Sequence, residues 1–515
     1  MMRSQALKIA LGRTSRPGGQ VGISHSMRRQ LATGSGSTLG YEPNYSHMPK
    51  FEPKDNQSTP GVDTALHESS SWSTDALNTA IRDHSVFTWG PSDAIRKSCV
   101  LAKRAEGVYI YDQDDKQYLD WCAGAVCSNL GHSVPAEIQH AIQKQVQELP
   151  FVYGDFYVSE IRARLCHLLA QISPGSINGF LFASSGSEAN EAAIRLARRY
   201  TGRHKIMSRS RSYHGGTSSA LGITGDPRTW AVDATISGFV KIIDPFPFTF
   251  DWGSNEEEMV ERSLGALHHQ ILTEGPQQIA AIVLESITGA NGWMMTPPAY
   301  MQGVRALCDE YGILLVCDEV MTGFGRSGRM FGFQHFDGVL PDMYTFAKGT
   351  TAAFLPLSGV AMQDHVFDYF RENPTGYGST YSAHPVCCAA AYATLQHILQ
   401  IDLVEHVRSV EPVMKAGLER LVAKHPSVKA ARTTGLGGGF DLAGKDGNFL
   451  IWMHETSPGL ALFKQAMMDN GLVTLIRGHH VHCTPPLIIT AEEIEEGIEK
   501  LDKSLDVLDE WIMAN

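Results

Sequence analysis

The stretch Ile313–Gly349, ILLVCDEVMTGFGRSGRMFGFQHFDGVLPDMYTFAKG, decides how the chain reads. It opens on an unbroken apolar run, Ile313-Leu-Leu-Val-Cys317, closed by Asp318 and Glu319. A short apolar run bounded by polar residues suits a strand covered on both faces, as in a parallel sheet. A second apolar segment, Met343-Tyr-Thr-Phe-Ala347, ends on Lys348 and Gly349. Ligands of an open α/β sheet sit beyond the carboxyl ends of its strands, so Asp318 and Lys348 are expected to face one crevice. Crowding by apolar groups disfavours the charged lysine and leaves a usable amine nucleophile. In isolation, such an Asp and Lys read first as a surface salt bridge on a loop, and it is the rest of the chain that overturns this reading.

Upstream, Gly179-Phe-Leu-Phe-Ala183 reads as a buried strand leading into Ser184-Ser-Gly-Ser-Glu-Ala-Asn190. Ser185 with Glu188 has the spacing of a capping box. Ala189, Ala192, Ala193, Leu196, Ala197 and Tyr200 then trace one helical face. A strand, a Gly/Ser turn at Gly186-Ser187 and a helix start make an anion site, because unpaired amide hydrogens and the helix dipole point the same way. Neither the P-loop spacing nor the dinucleotide G-x-G-x-x-G is present. An amine, a carboxylate and a phosphate cradle are the parts a pyridoxal phosphate Schiff base requires.

Further strands are expected at Lys205–Met207, running into Ser212-Tyr213-His214-Gly215, and at Ala280–Leu284, running into Glu285. A helix from Tyr300 to Tyr311 feeds the Ile313 run. Strands alternating with helices indicate a mostly parallel α/β sheet with helices on both faces. Before it, Gly107–Tyr111 and Gln117–Asp120 read as two strands around a polar turn. Pro135–Leu149 reads as a helix, with Ile138, Ile142, Val146 and Leu149 on its apolar face. From about residue 400 the texture becomes that of a smaller α+β lobe, closed by a helix capped by Thr490 and Glu493. The expected division is residues 75–130 as the N-terminal segment of a small domain, 131–399 as the large domain, and 400–515 as the rest of the small one.

A chain of 515 residues holds more than one core, and its net charge of -12 argues against nucleic acid and anionic membrane as partners. No apolar run approaches the roughly eighteen residues of a membrane span. Nine cysteines without framework spacing point to a reducing compartment. Cys122 with Cys127, and Cys387 with Cys388, read as core residues rather than redox or metal sites, so no metal is expected. Residues 1–40 carry Arg3, Lys8, Arg13, Arg16, Arg28 and Arg29, many serines and no acid. That composition is that of a mitochondrial or plastid transit peptide, with a disordered basic tail in a cytoplasmic protein as the alternative. Residues 41–74 read as a polar linker.

Assembled, these residues resemble the class III (ω-amino acid) aminotransferases, which have the type I pyridoxal phosphate-dependent transferase fold. SSGSEANEAAIRLAR, SYHGG, LLVCDEVMTGFGRSG, TFAKG and STYSAHPV occur in the family's order, and the resemblance spans roughly residues 80–510. It implies that Lys348 bonds pyridoxal 5'-phosphate and shuttles a proton, while Asp318 pairs with the pyridinium nitrogen. Val320 and Tyr213 would cover the two ring faces. Ser185, Gly186 and Ser187 would hold the phosphate, and His214 and Glu285 would belong to the shell around the ring. Thr380 would reach the phosphate of a neighbouring subunit, which implies a homodimer.

TGRHKIMSRSRSYHGG, ITGDPRTW, ITGANGW and IRGHHVHCTPPL resemble the taurine–pyruvate and ω-amino acid:pyruvate subgroup. There Arg477 would hold a substrate acid group by its fork, with Trp89, Tyr153 and Val126 lining the substrate pocket. Val126 replaces a larger residue common in the family, and His479-His480 stand where aromatics or Asn are usual. The expected activity is transfer of an amino group from an ω-amino acid or amine to pyruvate or glyoxylate by a ping-pong cycle. A decarboxylase or aminomutase using the same lysine, and a catalytically dead scaffold, are the alternatives.

Overall fold

Three parallel strands at the centre of the main sheet carry most of the chemistry. Ile279–Glu285, Leu314–Asp318 and Met343–Phe346 run side by side and all their residues are buried. Their apolar side chains point both ways because helices cover both faces. The computed structural model describes residues 72–230, 237–246, 250–451 and 455–515. Among these the main sheet has seven strands, in the spatial order Ile177–Ala183, Ser358–Gln363, Met343–Phe346, Leu314–Asp318, Ile279–Glu285, Lys205–Arg209 and Phe239–Ile242. Only Ser358–Gln363 runs against its neighbours.

Strand Ile177–Ala183 turns into the helix Gly186–Thr201, where Ser185 Oγ accepts from Glu188 N at 3.3 Å. The capping box is offset from expectation. The Glu188 carboxylate accepts from Ser184 N at 2.8 Å, one residue before the cap. A left-handed Gly202 ends the helix, a conformation that costs glycine little.

The C-terminal lobe has a four-stranded antiparallel sheet, in the order Val428–Thr434, Gly437–Leu442, His480–Cys483, Ile476–Arg477. Its apolar face, with Phe440, Leu442, Val481 and Cys483, is buried in the core. The final helix Ala491–Ala514 begins in the capping box of Thr490 and Glu493 and buries Ile494, Ile498, Leu501 and Leu505. The N-terminal sheet Ala102–Glu106, Tyr109–Asp112, Gln117–Asp120 is completed by Leu472–Val473, parallel to the last of these.

One helix departs from its reading. In Ala136–Glu148 only Ile138 is buried, and Val146 is 50% exposed. The apolar spacing is present, but among the described residues of the compact unit 74–515 that end of the stripe stays uncovered. Residues 1–40 and nearly all of the 41–74 linker lie outside the described residues; helix Thr74–His84 begins where the linker reading stops. No helix among the described residues is long and apolar enough to cross a membrane.

Candidate active site

The crevice follows from register. Asp318 pairs with Thr345 across two parallel strands, so the strands end at the same sheet edge and Lys348 emerges beside Asp318. Lys348 has φ of 42°, in the left-handed region, a strain held in place only by its surroundings. Its ammonium is pushed below the usual lysine range, chiefly by burial. The negative charges of Asp318 and Glu285 oppose the shift without cancelling it. More of the side chain is therefore free amine, the form that attacks a carbonyl carbon.

Asp318 is buried, at 5% exposure, and held on both oxygens. Oδ2 accepts from Asn190 Nδ2 at 2.8 Å and lies 2.7 Å from His214 Nδ1, while Oδ1 accepts from Val320 N at 3.0 Å. Asn190 also donates to His214 O at 2.7 Å and accepts from Thr345 Oγ1 at 3.0 Å. Sequence reasoning missed this residue. Its trace is a polar side chain on the otherwise alanine face of the Gly186 helix, where only an internal partner justifies burial. The adjacent Glu319 turns inward. It accepts from Ser286 Oγ, Thr322 Oγ1, Gly332 N and Phe333 N, and holds the turn after the strand. Glu285, paired with Asp318 in register, accepts from Tyr213 N at 3.0 Å and Gly289 N at 2.7 Å. Burial raises its carboxyl above the usual range.

At the other end of the crevice, a cavity of about 310 Å³ lies between Ser184, Ser185, Gly186, Lys348 and Thr351. A side chain on Gly186 would reach 3.0 Å from Val320 Cγ1, so glycine is what keeps this space open. The Ser187 hydroxyl accepts from Gly216 N at 3.1 Å, tying the helix start to the loop after Tyr213. Free amide hydrogens and the positive helix end give this cavity the character of a phosphate site, reached by Lys348. The residues present thus fit a phosphate-bearing aldehyde such as pyridoxal 5'-phosphate.

Tyr213 is sandwiched. Trp89 meets it edge-on at 6.0 Å between ring centroids, and the Arg228 guanidinium lies 3.6 Å above its ring. Arg228, also missed, is paired with Asp226 through Nε at 2.9 and 3.0 Å, which spends its charge. Trp89 is 55% exposed. Arg477 belongs to the same neighbourhood, since the charges of Arg228, Asp226 and Tyr213 all act on it. Burial first, then Arg228, lower its guanidinium from the usual value, and it makes no hydrogen bond or ion pair among the described residues. Val126 is buried with φ of 62°, unusual for a β-branched residue.

Two residues fall outside this group. Tyr153 is 41% exposed, packs on Phe156 and bonds Asp155. Thr380 is on an exposed turn next to Tyr381. His479 and His480 are buried and neutral: His479 stacks on Phe449 at 3.9 Å, and His480 is lowered to about 4 by burial.

The sequence matches the family model "Aminotransferase class-III" over residues 92–505. Gamma-aminobutyrate transaminase 1, mitochondrial, of Oryza sativa subsp. indica is 32% identical over 429 residues, 80% of this chain and 82% of its own. Putrescine–pyruvate aminotransferase of Pseudomonas aeruginosa is 31% identical over 422 residues, 80% of this chain and 91% of its own. Among solved structures, taurine:2-oxoglutarate aminotransferase of Bifidobacterium kashiwanohense, in complex with PLP and glutamate, superposes with a TM-score of 0.81 at 38% identity. That match covers 86% of this chain and 99% of the other.

Proposed function

The chain belongs to the class III aminotransferases, and from that premise we propose that it moves an amino group from an ω-amino acid or amine to a small 2-oxo acid, pyruvate or glyoxylate, in a ping-pong cycle. The family depends on pyridoxal 5'-phosphate, whose conjugated ring supplies an electron sink when bound. In this reading Lys348 would hold the cofactor and, through its neutral amine, move a proton to and from the substrate carbon. Asp318, held by His214 and Asn190, would keep the ring nitrogen protonated. Val320 and Tyr213 would cover the ring, Ser185, Gly186 and Ser187 would hold the phosphate, and Glu285 fixes the Tyr213 backbone. Trp89 and Val126 would border the substrate, and Tyr153, exposed beside Phe156, would line the pocket's outer part.

The observation that carries the substrate class is Arg477. A half-buried guanidinium with no acid partner among the described residues, beside Tyr213, suits an incoming carboxylate or sulfonate. The test is a screen of amino donors against pyruvate, glyoxylate and 2-oxoglutarate. Keto acid consumed in proportion to amine supports transamination, whereas turnover without it indicates decarboxylation or amino migration.

The same reading makes the protein a homodimer in which Thr380 completes the neighbour's phosphate site. Phe156, Tyr157 and Val158 are 77%, 67% and 71% exposed, an apolar run of the kind a second copy covers. The large and small domains divide as residues 131–399 against 75–130 with 400–515. The acid-free, Arg-rich residues 1–40 act as a mitochondrial address, as in the rice relative's name.

A further inference from the structure

One face of the C-terminal sheet is polar, although it is buried. Residues paired directly across antiparallel strands share a face, as do residues two apart on one strand. Arg477 pairs with His480, Asp441 with His480, Gly439 with His482, and Arg432 with Gly439. Arg477, His480, His482, Asp441 and Arg432 therefore stand together on the face opposite the apolar core. Asp441 is accounted for by Arg432 at 2.7 Å and by His480 Nδ1 at 3.0 Å. His482 is not. It is 1% exposed, its ring packs edge-on against His480 at 4.7 Å, and neither ring nitrogen has a partner among the described residues.

A buried imidazole without hydrogen bonds is destabilising, so such a residue needs a partner that arrives from outside the chain. Burial first, then the charges of His480, Arg477, Lys348 and Arg432, hold His482 well below the usual imidazole range and keep it neutral, and the lysine of the crevice and the Arg477 guanidinium are both near enough to act on it. A neutral N–H donor among cations suits an anion.

We propose that His482 is a substrate-binding residue, which donates a hydrogen bond to the acid group that Arg477 holds by its fork. The inference rests on the reading of Arg477 given above. The imidazole is carried to that group by the strand that pairs with Arg477, and its partner His480 is pinned by Asp441. Packed edge-on against the pinned His480, the His482 ring has its orientation set before the substrate enters, so little ordering is left for binding.

The test uses the holoenzyme and steady-state kinetics with the keto acid. His482→Leu removes both nitrogens, and its KM for the keto acid is expected to rise about tenfold with kcat little changed. Its melting temperature should be equal or higher, because an unpartnered polar group has been removed from the interior. His482→Gln restores a donor and should recover KM to within about threefold. In the Arg477→Ala background, His482→Leu should add much less than tenfold, since both hold one group. A normal KM in His482→Leu overturns the proposal and leaves an ordered water as the occupant. So does a shifted cofactor absorption band with unchanged KM, which would put the ring against the cofactor. If Arg477→Ala leaves KM unchanged, the reading of Arg477 has failed instead, whereas a raised KM there with a normal one in His482→Leu fails this inference alone.

Discussion

Nδ1 of His214 lies 2.7 Å from Oδ2 of Asp318, and both side chains are buried. With Asn190 on the same oxygen and Val320 N on the other, the carboxylate is fixed in orientation before any ligand arrives. Asp318→Asn should fold but lose at least about a hundredfold in kcat. An amide cannot hold a pyridinium charge, and its NH2 group would face one of the three donors. Steady-state rates with saturating donor and keto acid check this, and near-normal turnover would remove Asp318 from the site.

Lys348→Ala should retain less than about a thousandth of wild-type turnover while keeping the melting profile of a folded protein. The left-handed backbone at this position relaxes no further with alanine, so lost activity would not be lost fold. A variant above that residual rate would refute the assignment.

The parallel core was legible because apolar runs such as Ile313–Cys317 can hardly do anything but cross a covered sheet. Asp318 and Lys348 were legible because strand ends face the crevice whatever the loops do. Other features depend on contacts far apart in sequence. Ala102–Glu106 is wholly exposed and forms a strand only because Tyr109–Asp112 pairs with it. Ile476–Arg477 is too short for any periodicity, and its pairing partner decides which way Arg477 points. Asn190, Arg228 and His482 each look like ordinary polar residues until the fold supplies, or withholds, a partner. Val146 shows the opposite failure: its spacing was readable, but among the described residues it stays 50% exposed.

Buried histidines give a signed pH dependence. His480 is lowered from 6.5 to about 4, mainly by burial, with Arg432 and His479 adding and Asp441 opposing. Between those values the unfolded chain binds the extra proton, so stability rises with pH from about 4 to 6.5 and is lost on acidification. The full span corresponds to about 3 kcal/mol. Asp244, raised to about 6 by burial, works in the opposite direction over the same range. The readout is therefore the difference between wild type and His480→Gln in denaturant melts at pH 5, 6 and 7. That difference should change with pH; a constant one would mean that His480 does not titrate this way.

Removing residues 1–40 should leave purified enzyme fully active while abolishing organelle import of a fluorescent fusion. The Arg-rich, acid-free composition motivates this, and the first described helix starts only at Thr74. Import of the truncated fusion, or loss of activity in vitro, would give the segment another role.

Arg477 bears the sharpest claim about substrate. The crevice already carries the acids Asp318 and Glu285 and would hold a phosphate, so a further carboxylate or sulfonate needs its own cation. Two positive groups nearby are committed: Arg228 is paired with Asp226 and Arg432 with Asp441. Nor can the imidazoles substitute, since His479 and His480 are both lowered by burial and stay neutral. Two charge-assisted hydrogen bonds from a fork should contribute about 2–4 kcal/mol. Arg477→Ala should therefore raise KM for the keto acid roughly 30- to 1000-fold, with much less effect on an uncharged amine donor. Arg477→Lys should recover only part of this, because an ammonium offers a point charge without the fork. The contrast between keto acid and uncharged amine separates lost recognition from general damage to the site. An alanine variant that saturates normally with keto acid would refute Arg477 as the cation that holds the substrate's acid group.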